Sequence, residues 1–174
     1  LCLAKGLTGG YLPLAATLTT EKIFSAFLAP YDEFKTFFHG HTFTGNPLGC
    51  AAALASLQIF QEQDVLARLK PILKRLKDRL DSDLSQLNHV ADIRRQGFMV
   101  GLELMLDPEK KIPYAATQKI GVKVILEARK RGVILRPLGD VITLMPPLSI
   151  NANELDIVLY VTRDSIEAVT CQAS

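Results

Sequence analysis

Apolar residues recur at helical spacing from Val65 through Leu66, Leu69, Ile72, Leu73, Leu76, Leu80 and Leu84, with charged residues between them. That spacing predicts a long amphipathic helix opening near Asp64. Pro71 falls inside the run and, lacking an N–H, predicts a kink or a break. Upstream, Leu14 to Thr19 reads as a short strand. Thr19 or Thr20 then caps a helix through Glu21, Ile23, Phe24 and Phe27, which Pro30 ends. Periodicity is lost from Tyr31 to Gly45, where four Phe and the pair His39 and His41 suggest an irregular loop packed by aromatics. Asn46 followed by Pro47 is a helix opening, since Asn caps well and Pro is tolerated in the first turn. Small residues from Cys50 to Ala55 allow close approach, so this helix is expected to be buried against a sheet or a second subunit.

Beyond Asn88 the pattern changes period. Val90 to Arg95 and Phe98 to Leu106 predict paired strands joined near Gly97, followed by a polar loop from Asp107 to Pro113. Thr117 to Arg131 predicts a helix with Gly132 at its end. Val133 to Arg136 and Val141 to Met145 predict a hairpin around Leu138, Gly139 and Asp140, with Pro146 and Pro147 stopping its second strand. A last helix is expected from about Asn153 to Val169. The order ββ, α, ββ, α predicts an α+β unit distinct from what precedes Asp64.

Composition narrows the class of protein without naming a function. With 174 residues and 48% hydrophobic content, the chain has enough apolar material for one domain or two small pieces. A net charge of +2 arises from interspersed acids and bases, densest from Arg68 to Asp83, which is the pattern of a solvated helix face and not of a nucleic-acid footprint. Three cysteines, Cys2, Cys50 and Cys171, are widely spaced and form no CxxC or CxxH pair, which fits reduced thiols in a cytoplasmic protein. There is no basic segment leading into an apolar one, and no uncharged run approaches the roughly twenty residues of a membrane helix. No targeting or membrane segment is expected. His39 and His41 lack the further ligands of a metal site, so no metal is expected.

The chemistry-bearing candidate nearest the start is Lys5, in AKGLTGGYLPLAATLT. Gly6, Gly9 and Gly10 let the backbone come close to a bound group. A phosphate-binding P-loop needs its lysine after the glycines and directly before Ser or Thr, and here the order is reversed. Two readings stay open: an amine poised to form a Schiff base with a carbonyl, and a solvated lysine in a glycine loop. On the bland reading of the whole chain, Lys5, Thr42 and Arg136 are ordinary loop residues of a non-catalytic α+β interaction domain, and the small-residue helix is a dimer interface.

Three segments together, AKGLTGGYLPLAATLT, FFHGHTFTGNPLGCAAALASL and GVILRPLGDVITLMPPLSI, resemble class III pyridoxal-phosphate-dependent aminotransferases. The wording LRPLGD followed by LMPP, with DIRRQGFMVGLEL between the segments, most resembles the biotin-synthesis branch of that class. Ornithine, aminobutyrate and other ω-aminotransferases share the first two segments more loosely.

The resemblance implies a mixed fold, α/β and α+β, from the C-terminal part of a fold-type I transferase. Residues 1–63 would end the large cofactor domain, and 64–174 would form a linking helix and the small C-terminal domain. It implies pyridoxal 5'-phosphate as cofactor, with Lys5 as the Schiff-base lysine and proton shuttle. Gly40, His41 and Thr42 would lie at the cofactor, Thr42 reaching the phosphate of the neighbouring subunit of a homodimer whose active site sits at the interface. Arg136, with Gly40, would bind the substrate, its guanidinium taking the carboxylate of a long-chain keto acid. The implied reaction converts 7-keto-8-aminopelargonate to 7,8-diaminopelargonate, with S-adenosylmethionine or lysine as amino donor. Two local alternatives accompany these roles: Thr42 satisfying its own loop backbone, and Arg136 pairing with Asp140. Thr143 stands where some members place a tyrosine, and the resemblance assigns it no role. The acidic, aromatic and phosphate-loop residues of such a pocket normally lie upstream of the lysine, so the chain is expected to be a fragment that binds cofactor poorly alone.

Overall fold

The computed structural model describes residues Leu1–Cys171, which divide between Leu66 and Ala67 into two compact units. In the first unit, strand β1 (Cys2–Leu3) pairs antiparallel with β2 (Ala16–Thr17), Cys2 opposite Thr17 and Leu3 opposite Ala16. The ladder is extended by reciprocal backbone bonds of 2.8 Å between Leu1 and Leu18. The strand predicted over Leu14–Thr19 is thus only two residues long, with pairing that continues only as far as Leu18. Helix α1 (Glu21–Ser25) is a single turn and stops before Phe27. The aromatic loop carries one 3₁₀ turn at Tyr31–Glu33. Phe37 of the loop touches His39 at 5.5 Å between centroids and, outside the loop, Phe27 at 5.1 Å. Phe34, Phe37, Phe38 and Phe43 nevertheless remain exposed.

Helix α2 (Pro47–Glu62) opens as predicted, with Asn46 Oδ1 accepting from the N–H groups of Leu48 at 2.9 Å and Gly49 at 3.3 Å. Since Pro47 has no N–H to leave unpaired, these two bonds satisfy the donors that follow it in the first turn. The burial expected of α2 is confined to a stripe at Gly49 and Ala53, while Leu54, Leu57 and Ile59 stay exposed. That stripe seats the turn that carries Lys5. Gly49 lies against Leu14, and Ser56 Oγ donates to the Gly6 carbonyl at 3.4 Å.

Helix α3 (Val65–Arg79) begins at the end of the first unit and runs into the second. It continues through Pro71, so of the kink or break predicted there the break does not occur, and then through one π-type turn at Leu80–Leu84 that closes with Ser85 N–H on the Leu80 carbonyl at 3.0 Å. Pro71 lies on the exposed side, where the carbonyl it leaves without a donor can turn to water. The buried residues Leu69, Leu76, Leu80 and Leu84 hold the helix to its core.

The second unit is built on an antiparallel sheet of order β3-β4-β6-β5, with β3 Val90–Gln96, β4 Met99–Leu104, β5 Arg136–Leu138 and β6 Val141–Leu144. Gly97, at φ 59°, makes the β3–β4 turn. Val100, Leu102 and Leu104 alternate inward along β4 and join Ile142 and Leu144 of β6. The core is completed by Val124 and Ala128 of α4 (Ile120–Lys130) and by Leu155, Leu159 and Ile166 of α5 (Ala152–Thr170). Asn151 caps α5 in a reciprocal box with Glu154, so this helix starts slightly before the predicted Asn153.

Two further boundaries differ from expectation for conformational reasons. Lys119 adopts φ 50°, which separates a 3₁₀ turn at Ala116–Gln118 from α4 and prevents one helix from Thr117. At the other end of α4, Gly132 has φ 86°; its N–H reaches the Arg129 carbonyl at 3.1 Å and that of Val133 reaches Ala128 at 3.0 Å. This Schellman arrangement commits Val133 to the helix end. β5 accordingly starts at Arg136, and Leu138 pairs with Val141 as strand and not as turn.

Candidate active site

Lys5 follows β1 directly and opens a 3₁₀ turn, Lys5–Thr8. Its backbone lies at φ 55°, a left-handed value shared with Phe34, Asp64, Lys111 and Lys119, so conformation alone does not single it out. What distinguishes the turn is its anchoring. Thr8 is only 2% exposed, and its Oγ1 donates to the Leu12 carbonyl at 2.5 Å. With Gly9 and Gly10 at φ 61° and 83°, the loop folds back over a buried hydroxyl and turns Lys5 outward. The Lys5 amine has no hydrogen-bond or ion-pair partner among the described residues.

Gly40, His41 and Thr42 lie on the exposed loop before α2. The local turn is tied by Thr44, whose N–H donates to the His41 carbonyl at 3.0 Å and whose Oγ1 accepts from His41 N–H at 3.2 Å. Thr44, not Thr42, therefore satisfies the loop backbone, and the Thr42 hydroxyl is without a partner among the described residues. A Cβ at Gly40 would meet nothing within 4 Å, leaving room for a close approach. An amine without a counter-ion, an open glycine and an unengaged hydroxyl are groups whose chemistry fits a phosphorylated aldehyde such as pyridoxal phosphate.

Arg136 belongs to the second unit, where it opens β5 opposite Thr143. The register runs Arg94, Gly101, Thr143 and Arg136 across the four strands, on the face away from the inward Leu102 and Ile142. Arg94 pairs with Asp92 and Glu103, whereas the Arg136 guanidinium has no partner among the described residues. The pair with Asp140 left open by the sequence is not formed. Asp140 Oδ1 instead accepts from the Gly121 N–H at the start of α4, at 2.8 Å. Thr143 Oγ1 donates to the Arg136 carbonyl at 2.7 Å, which gives that residue a structural task. Beside Arg136 lies a largely apolar cavity of about 540 Å³, lined by Leu135, Met145, Pro146, Ile150 and Val158 among others. A cation at the rim of an apolar cavity suits an aliphatic carboxylate.

Asp140 was expected only as a turn residue or as a partner for Arg136, and Gly121 had no expected role. The signal available was a glycine in the first turn of a helix, a costly residue there unless something must come close.

The model of the family described as aminotransferase class-III matches residues 1–166, and the chain belongs to that family. It is 58% identical over 170 residues to the adenosylmethionine-8-amino-7-oxononanoate aminotransferase of Nitratidesulfovibrio vulgaris, covering 98% of this chain and 31% of that protein. It is 52% identical over 159 residues to the protein of the same name from Aquifex aeolicus, covering 91% of this chain and 35% of the relative. The crystal structure of the same-named protein from Methanocaldococcus jannaschii has a TM-score of 0.92 at 46% identity, over 97% of this chain and 38% of that one. An amine transaminase from an uncultivated Pseudomonas species, solved in its PLP-bound internal aldimine form, has a TM-score of 0.84 at 31% identity, over 99% of this chain and 38% of its own. The chain thus spans about a third of the length of the curated relatives it matches. The mixed fold matches that of pyridoxal-phosphate-dependent aminotransferases. No helix among the described residues is long and apolar enough to cross a membrane.

Proposed function

We propose that this chain serves a pyridoxal-phosphate-dependent transaminase of biotin synthesis, cytoplasmic and homodimeric, that converts 8-amino-7-oxononanoate to 7,8-diaminononanoate with S-adenosylmethionine as amino donor. The observation that carries this reading is the 58% identity over 170 residues to a protein named for that reaction. The unpartnered Arg136 beside an apolar cavity is consistent with an acceptor that joins a carboxylate to an alkyl chain.

Pyridoxal phosphate, when bound, supplies an aldehyde for amino-group exchange and an electron sink for the carbon that loses a proton. Lys5 would provide the amine that holds it. Lys5 Nζ would take a proton from the donor's α-carbon and, in the second half-reaction, would deliver one to the former carbonyl carbon of the acceptor. Thr42 would offer its hydroxyl to the phosphate of the neighbouring subunit's cofactor, with Gly40 and His41 as neighbours. Arg136 offers two parallel N–H donors to the acceptor's carboxylate, a fork that lysine does not reproduce.

Substrate profiling of the full natural polypeptide, with product detected by mass spectrometry, tests the assignment. The expected result is diaminononanoate formation that Lys5→Ala abolishes. Activity on 4-aminobutyrate or ornithine, with none on 8-amino-7-oxononanoate, would overturn the biotin reading.

A further inference from the structure

Arg136 opens a three-residue edge strand whose one ladder partner is β6. So short a hairpin is marginal by itself, and the direction of Arg136 depends on what holds the hairpin in place. At the strand end, Thr143 Oγ1 fixes the Arg136 carbonyl at 2.7 Å. At the turn, Asp140 makes two bonds to different elements. Its carbonyl accepts from Leu104 N–H of β4 at 3.0 Å, and its Oδ1 accepts from Gly121 N–H of α4 at 2.8 Å.

Gly121 is the second residue of α4, so its N–H has no partner inside the helix, and the positive end of the helix favours a carboxylate there. The helix also comes very close: a Cβ at Gly121 would lie 2.1 Å from the Gly139 carbonyl oxygen and 3.2 Å from Asp140 Cα. The turn before β6 is therefore seated on the start of α4 by contact and by a charged hydrogen bond together. The acid nearest in sequence to Arg136 on the hairpin is used up in this contact.

We propose that Asp140 is a positioning residue for Arg136, latching the β5–β6 hairpin to α4 so that the guanidinium is held, without a competing counter-ion, in the orientation that receives the acceptor's carboxylate. This rests on the reading of Arg136 given under the proposed function. Asp140 does not touch the substrate; it acts through the hairpin.

The test measures steady-state transamination and amide hydrogen exchange in the full natural polypeptide loaded with pyridoxal phosphate. Asp140→Ala is expected to raise KM for 8-amino-7-oxononanoate at least about fivefold while kcat stays within about twofold, because a carboxylate contact made alike in ground and transition states lowers KM without raising kcat. Exchange at Gly121 accelerates, and protection at Leu102 in the core is retained. Asp140→Asn keeps an acceptor at the same place and restores the acceptor KM to within about twofold of wild type. If Asp140→Ala loses the core protection, Asp140→Glu, which displaces the acceptor by one carbon, takes its place with the same expected split. Faster exchange at Gly121 with an unchanged acceptor KM overturns the positioning role alone. An Arg136→Ala enzyme with wild-type acceptor KM, or a wild type without transamination, overturns the reading on which it rests.

Discussion

Replacing glycine by alanine in a helix usually stabilises it, yet the two helix glycines Gly49 and Gly121 are expected to respond with opposite signs. Both lie in the first turn of a helix, α2 and α4, and neither has a positive φ. At Gly49 the added Cβ would meet Leu14 Cδ1 at 3.5 Å, an ordinary van der Waals contact. Gly49→Ala is therefore expected to gain about 0.5–1 kcal/mol from reduced backbone entropy in the unfolded chain. At Gly121 the Cβ would lie 2.1 Å from the Gly139 carbonyl oxygen, so the hairpin must retreat by about 1 Å. Overpacking of that kind costs about 1–3 kcal/mol, and the Asp140 bond it pulls apart is worth about 1.5–3 kcal/mol. After the propensity gain of about 1 kcal/mol, Gly121→Ala should lose about 1.5–5 kcal/mol. Urea denaturation followed by circular dichroism reads both changes, with amide hydrogen exchange assigning each to its own unit. A neutral or stabilising Gly121→Ala would refute the reasoning, since no relaxation of a flexible side chain is available to absorb a clash with backbone.

Four other outcomes are expected. Asn46→Ala should cost about 1 kcal/mol by unpairing the Leu48 and Gly49 N–H groups, measured as a lowered melting temperature that Asn46→Asp largely restores. Leu102→Ala, at a fully buried position between Ile93 and Ile142 in the register, should cost about 2–5 kcal/mol in urea melts, while Met99→Ala on the exposed end of the same strand changes little. The side-chain hydrogen bond from Arg75 holds the Asp156 carboxyl below its ordinary value of 3.8. A depressed carboxylate contributes stability above its unfolded value and loses it as pH falls through the lower folded value, so Asp156→Asn should flatten the acid limb of a stability profile below about pH 3.8. Neutralising Lys74, in an exposed i,i+4 pair with Asp78, should leave the urea midpoint unchanged.

The features legible in the sequence were those decided by a few neighbouring residues. Asn46 with Pro47 announces the start of α2, Gly97 the β3–β4 turn and Gly132 the end of α4, because caps and tight turns are chosen by local backbone chemistry. The misplacements arose where a distant element decides. Pro71 does not break α3, since burial of Leu69 and Leu76 outweighs one missing hydrogen bond on the solvent side. The start of β5 is set by the Schellman end of α4 and by pairing with β6, not by the apolar pattern of residues 133–135. At the candidate site, residue types and wording pointed to Lys5, Thr42 and Arg136. The partnership of Asp140 with Gly121 spans nineteen positions and follows from the approach of a helix to a turn, so residue spacing gave no sign of it.

The left-handed backbone at Lys5 has a consequence for engineering. A non-glycine residue at φ 55° costs about 1–2 kcal/mol, of which glycine would recover a part after its own entropic penalty. A stability screen of this chain would therefore favour Lys5→Gly, a change that hardens the scaffold while deleting its amine. If Lys5 has the role proposed above, selection for thermal resistance and selection for turnover pull in opposite directions at this one position, and a library built without an activity filter would drift toward a protein that lacks the proposed amine.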